Sequence, residues 1–124
     1  MSEAPVMIAV VDDEEPVRRA LRRLLGSAGY QTALFPSGQE FLDSLAGRRP
    51  DCIILDLHMP NVDGFAVLEE LARSSLRLPV IIITGYEKPE ARERIDHRGI
   101  SAFLRKPIDG QHLVDTIQEA LRCA

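Results

Sequence analysis

Asp12, Asp13, Asp56, Thr84 and Lys106 each stand at or just beyond the end of a strand-like run. Val6–Val11 runs into Asp12-Asp13, Cys52–Leu55 into Asp56, Pro79–Thr84 ends in its own hydroxyl, and Ser101–Arg105 is followed by Lys106. If these runs are parallel strands, their ends share the sheet edge where ligands bind in open α/β folds. Three carboxylates converging there repel one another and resist ionisation unless a cation joins them. Oxygen ligands that leave room for water suit Mg²⁺. An ammonium and a hydroxyl beside them are what phosphoryl oxygens need as their charge develops. Asp56 is then the candidate nucleophile, able to become an aspartyl phosphate.

Each of these residues has an ordinary explanation as well. Asp12 and Asp13 could cap a helix. Asp56 could form a turn, Thr84 could simply end a strand, and Lys106 could sit on the surface or in a structural ion pair. Taken singly, each ordinary explanation is the better one. All of them holding at once, at four strand ends on one edge, is much harder to accept, so the inference rests on the combination.

The elements that must position these groups follow from hydrophobic pattern. Cys52–Leu55 is apolar without alternation, which suits a strand covered on both faces. Val6–Val11, Tyr30–Phe35, Pro79–Thr84 and Ser101–Arg105 read as the other strands. After Asp13, Glu14-Glu15-Pro16 opens a helix, since acids suit its positive end and proline its first turn. Val17, Leu21, Leu24, Leu25 and Ala28 form its inner face, Arg18, Arg19, Arg22 and Arg23 its solvated face, and Gly29 its stop. A second helix turns Phe41, Leu42 and Leu45 inward. A third begins near Gly64 with Phe65, Leu68, Leu71 and Ala72 inward. A fourth, over 89–98, has only Ala91 and Ile95 as apolar residues and is expected to be weakly anchored. Asp109 caps the last, with Leu113, Val114, Ile117, Ala120 and Leu121 inward. Five strand–helix repeats with short connections predict an α/β fold, a parallel sheet with helices on both faces.

Composition agrees with one ordinary globular domain over residues 1–124. The 124 residues are 45% hydrophobic and 27% charged, with a net charge of −4. A chain of this length buries roughly two thirds of its unfolded surface. The acidic balance gives no basic surface for nucleic acid. There is no apolar run near the ~18 residues of a membrane span and no signal-peptide pattern, so the expected location is cytoplasmic. Two cysteines, Cys52 and Cys123, make neither a disulfide framework nor a metal site.

These residues together resemble the receiver domain of two-component response regulators, end to end. The resemblance is carried by Val-Val-Asp-Asp-Glu at 10–14, Asp-Leu-His-Met-Pro-Asn-Val-Asp-Gly at 56–64, Ile-Ile-Ile-Thr-Gly at 81–85 and Phe-Leu-Arg-Lys-Pro at 103–107. It implies a flavodoxin-like (βα)5 three-layer sandwich with sheet order 2-1-3-4-5. It implies Asp56 as phosphoacceptor, Thr84 and Phe103 as switch residues, Lys106 as the phosphate-binding lysine, and a cis peptide before Pro107. Mg²⁺ would be held by Asp13, Asp56 and the main-chain carbonyl of His58, with Asp12 acting mostly through water. A hard Mg²⁺ prefers that carbonyl to the His58 imidazole. His58 and Tyr86 would flank the path of water to the phosphate, either shielding it or orienting water.

The implied partners are a sensor histidine kinase or phosphotransfer protein, and an output protein or domain. The output would be reached through the fourth helix, fifth strand and last helix. A phosphorylation-dependent homodimer is a further partner the resemblance admits. The first segment and Phe103 are most similar to receivers of nitrogen-fixation regulator type, many of which precede a DNA-binding domain. Residues 1–124 carry no such pattern, so no direct nucleic-acid binding is expected of them.

Three other readings compete. A phosphatase or phosphotransferase with an aspartyl nucleophile would share Mg²⁺, Asp, Thr and Lys. However, Asp56-Leu57-His58 lacks a second carboxylate two residues on, and no insertion encloses a substrate. A binding module on the same fold would not need the intact acidic set. Nucleotide binding would need a Gly-rich phosphate loop after the first strand, and none is present.

Overall fold

The computed structural model describes residues 5–74, 76–85 and 100–123. Five strands, β1 (Met7–Val11), β2 (Gln31–Phe35), β3 (Cys52–Asp56), β4 (Val80–Thr84) and β5 (Ile100–Arg105), form one sheet of order β2-β1-β3-β4-β5. Every pairing is parallel. The described helices are α1 (Glu15–Ser27), α2 (Gly38–Ser44), α3 (Gly64–Arg73) and α4 (Gly110–Arg122). The helix expected over 89–98, and Tyr86, lie outside the described residues.

Successive strand residues face opposite sides of the sheet, and both sides are covered. Ile8, Val10, Cys52, Ile54, Ile81, Ile83 and Leu104 meet Leu21 and Leu25 of α1 and Leu113 and Ile117 of α4. Ala9, Val11, Ile53, Leu55, Val80 and Ile82 meet Phe41 of α2 and Val67 and Leu71 of α3. This two-sided burial is why β3 and β4 are buried throughout and read as unbroken apolar runs. Fully burying such side chains contributes about 1.5–3 kcal/mol each. Cys52 is fully buried within this core, and burial pushes its thiol up to about 12, whereas Cys123 is exposed.

Helix ends follow local chemistry. Ser37, Asp63 and Asp109 each accept a backbone N–H with the side chain and so cap α2, α3 and α4. Gly29, at φ +94°, ends α1 in a conformation open to glycine.

Several inner-face expectations need correction. Ala28 is exposed, because α1 ends at Ser27 and the chain turns away. Ala72 is exposed too, and Val67 is buried in its place. The buried stripe of α3 is Gly64-Val67-Leu71. Its first member has no side chain, so a count of apolar residues rotates the stripe by about one position. Arg18 is not wholly on the solvated face of α1. It is half-buried, and its Nη1 donates to the Asp12 carbonyl at 2.8 Å.

Candidate functional site

Strand register builds the site. Val11 pairs with Leu55, so Asp12 and Asp56 emerge side by side between β1 and β3, where the strand order turns back. This is the crevice in which open α/β sheets bind ligands. Asp56 pairs with Ile83 and Thr84 with Arg105, which carries the same edge across β4 and β5. The Lys106 backbone N–H donates to the Thr84 carbonyl at 2.9 Å, holding the lysine at the end of that ladder. The Lys106-Pro107 peptide is cis, as the resemblance implies.

Asp12 is fully buried and Asp56 is 2% exposed, whereas Asp13 is on the surface. Asp12 is fixed on three sides. Its N–H donates to the Phe35 carbonyl at 3.1 Å, its carbonyl accepts from Arg18, and its Oδ1 accepts the Glu14 N–H at 2.8 Å. Its Oδ2 lies 2.9 Å from Lys106 Nζ, yet this buried oxygen has no hydrogen-bond partner. The contact is a close, buried ion pair.

Asp56 Oδ1 accepts the His58 backbone N–H at 3.2 Å, and Oδ2 accepts from Lys106 Nζ at 3.4 Å. Burial and the Asp12 charge push the Asp56 carboxyl up to about 6, against the pull of the His58 N–H and of Lys106. Burial disfavours the charge on Lys106, but the carboxylates of Glu14, Asp12 and Asp56 around it outweigh that and hold it cationic.

Carboxylate oxygens of Asp12, Asp13, Glu14 and Asp56 lie within 4.8 Å of one another. This donor set is all oxygen and strongly negative, and it includes the buried Asp12 Oδ2 without a hydrogen bond. It fits a hard divalent cation. The His58 imidazole is not part of this cluster, and the residue is exposed.

Thr84 is 1% exposed at the end of β4. Phe103, half-buried on β5, pairs in register with Ile82 and packs against the cluster that α2 and α3 cover. The structure thus places Asp12, Asp13, Asp56 and Lys106 together, with Thr84 at the end of the neighbouring strand. Two participants were missed. Glu14 was read only as a helix opener, and Arg18 only as surface charge. Glu14 had a signal, as a third consecutive acid beside the pair. Arg18 had only its place in the first turns of α1.

The loop after Asp56 is held by close packing. A Cβ on Gly64 would lie 2.6 Å from the Asp56 carbonyl and 2.7 Å from Leu57 Cα. A Cβ on Gly38 would lie 2.6 Å from the Val62 carbonyl. Both helices therefore start with glycine where they press on that loop.

Fold and site together define an acidic-edged, doubly wound α/β domain built around one aspartate. The sequence matches the response regulator receiver domain over residues 8–118, and the chain belongs to that family. It is 36% identical over 118 residues to the response regulator MprA of Mycolicibacterium vanbaalenii, covering 95% of this chain and 51% of that protein. It thus spans about half the length of that relative. A response regulator receiver protein from Burkholderia phymatum has a similar structure, with a TM-score of 0.82 at 40% identity, covering 94% of this chain and 95% of that one. Chemotaxis protein CheY4 of Vibrio cholerae superposes with a TM-score of 0.86 at 28% identity, covering 94% and 99%. Among the described residues, no helix is long and apolar enough to cross a membrane.

Proposed function

We propose that the chain is a phosphoacceptor that takes a phosphoryl group from the phosphohistidine of a histidine kinase or phosphotransfer protein onto Asp56. An Asp56 carboxylate oxygen bonds to phosphorus while the phosphorus–nitrogen bond of the donor breaks. The electron pair stays on the ring nitrogen, which takes up a proton. Lys106 binds one phosphoryl oxygen, and the Thr84 hydroxyl donates to another. Asp12, Asp13, Asp56 and the His58 carbonyl would hold Mg²⁺, which when bound neutralises charge on the phosphoryl oxygens.

The new phosphate carries roughly −2 charge. It draws Thr84 inward, and Phe103 follows into the vacated space. Two packings of one domain then differ in population. The readout face is the segment 89–98 together with β5 and α4, and it meets an output domain, an output protein or a second copy of the chain. His58 and Tyr86 tune the lifetime of the phosphate. The role is that of a cytoplasmic signalling carrier in a single domain over 1–124, not of a turnover enzyme.

The observation that carries this reading is the Lys106 ammonium, 3.4 Å from Asp56 Oδ2 inside a cluster of carboxylates. Intact-mass analysis after incubation with Mg²⁺ and a small-molecule phosphodonor tests it. The expected result is one added phosphoryl group on the parent and none on Asp56→Asn. A folded parent that never gains the group, or a variant that gains it equally, overturns the reading.

A further inference from the structure

Lys106 has three N–H bonds and three carboxylates around it, and it does not share itself evenly. Its shortest contact is to Glu14 Oε1 at 2.8 Å, while Asp56 Oδ2 is at 3.4 Å. Asp12 Oδ2 lies 2.9 Å away. The ammonium is thus held by Glu14, at the mouth of the site, together with Asp12, and is drawn back from the acceptor. The two partners differ in burial. The Asp56 side chain is 3% exposed and that of Glu14 is 58% exposed. Lys106 itself is 16% exposed, so the pair is open to water at its Glu14 end, where such contacts are weak and readily exchanged. A phosphoryl group of about two negative charges is a stronger partner for an ammonium than one hydrated carboxylate.

We infer that Glu14 is a positioning residue that holds Lys106 in the resting state and must surrender it when Asp56 carries a phosphoryl group. It acts through Lys106 and touches neither the donor nor the reacting phosphorus, and saturating Mg²⁺ keeps its place in the carboxylate cluster from entering the comparison. This rests on the reading of Asp56 as phosphoacceptor. Its consequence is regulatory, since the strength of the Glu14–Lys106 pair sets part of the threshold for the phosphorylated state. Removing the charge of Glu14 while keeping its shape lowers that threshold.

The test is the affinity of the full chain for beryllofluoride, a phosphoryl mimic on carboxylates, at saturating Mg²⁺. Glu14→Gln is expected to bind about two- to fivefold tighter than the parent, the range of an exposed ion pair. In a Lys106→Gln background the same substitution is expected to change nothing, which a double-substitution cycle reads directly. Equal affinity of parent and Glu14→Gln overturns the inference. So does a gain that persists without Lys106, since the charge of Glu14 would then act by itself.

If the Lys106→Gln chain binds too weakly to measure, the NMR signal of the Lys106 ammonium decides. It is expected to differ between parent and Glu14→Gln in the free chains and to converge when beryllofluoride is bound. Identical signals in the free chains overturn the inference. A parent that never binds the mimic overturns instead the assignment of Asp56 as acceptor, so the two failures are distinguishable.

Discussion

Lys106 reaches the site because its backbone N–H is tied to the carbonyl of Thr84 at 2.9 Å. The residues that carry the proposed hydroxyl and ammonium donors are therefore joined through one peptide hydrogen bond. A displacement of the β4 end would reach β5 through the backbone alone. Thr84→Ala keeps that bond and removes the hydroxyl. It is expected to leave labelling of Asp56 by a phosphodonor largely intact. It should also reduce the chemical-shift changes that beryllofluoride induces in β5 and α4. Unreduced changes in those elements would show that Thr84 is not the switch.

Asp56 supplies a pH dependence whose sign can be worked out. Its carboxyl is raised from an ordinary 3.8 to about 6 in the fold. Between those values the native chain binds more protons than the unfolded one, so its stability falls as pH rises through the window. Above about pH 6 the cost of the ionised form is fully present, at most about 3 kcal/mol at 1.36 kcal/mol per unit. Asp56→Asn removes that cost. It is expected to be more stable than the parent at pH 7.5 by about 1–3 kcal/mol, with the difference gone near pH 4. Urea unfolding without divalent cations at both pH values measures it.

A divalent cation held by these carboxylates would offset part of the same cost. Millimolar Mg²⁺ is expected to stabilise the parent relative to chelator, by about 2.7 kcal/mol at a hundredfold excess over the dissociation constant, and so to raise its unfolding temperature. Asp13 is exposed, so Asp13→Asn spares the fold and is expected to lose most of that increment. Thermal scans with and without chelator compare the two. An undiminished shift in the variant would remove Asp13 from the cation site.

Gly64→Ala tests the packing that holds the acceptor loop. The atoms at 2.6 and 2.7 Å are main-chain atoms of Asp56 and Leu57, which cannot rotate aside. The variant is expected to lose about 1–3 kcal/mol as an overpacking change and to label more slowly at Asp56. Urea midpoints and labelling rates, measured on the same samples, show whether loop and acceptor move together.

Much of this architecture was legible because parallel strands buried on both faces leave continuous apolar runs, as in Cys52–Leu55 and Val80–Ile83. The groups at their carboxyl ends must then converge. Asp12, Asp56 and Lys106 could be assigned to one edge from the sequence, since each follows the carboxyl end of a strand-like run. Val67 escaped because a glycine at the head of its stripe carries no hydrophobic signal. The Glu14–Lys106 pair escaped for a different reason. It joins residues 92 positions apart through two long side chains, and side-chain direction has no periodicity to read. Arg18 looked like its basic neighbours, and only the nearby Asp12 carbonyl distinguishes it.

The contrast between the two sulfurs has a practical side. Cys52 is sealed beneath α1 and α4 and stays protonated at physiological pH, so alkylating reagents find no thiolate there. Cys123 is open to solvent just past the last turn of α4. A maleimide dye or nitroxide should therefore attach at one place in the unaltered chain. That place abuts an element of the proposed output face, so a spectroscopic reporter of the two packings can be installed without engineering a single codon.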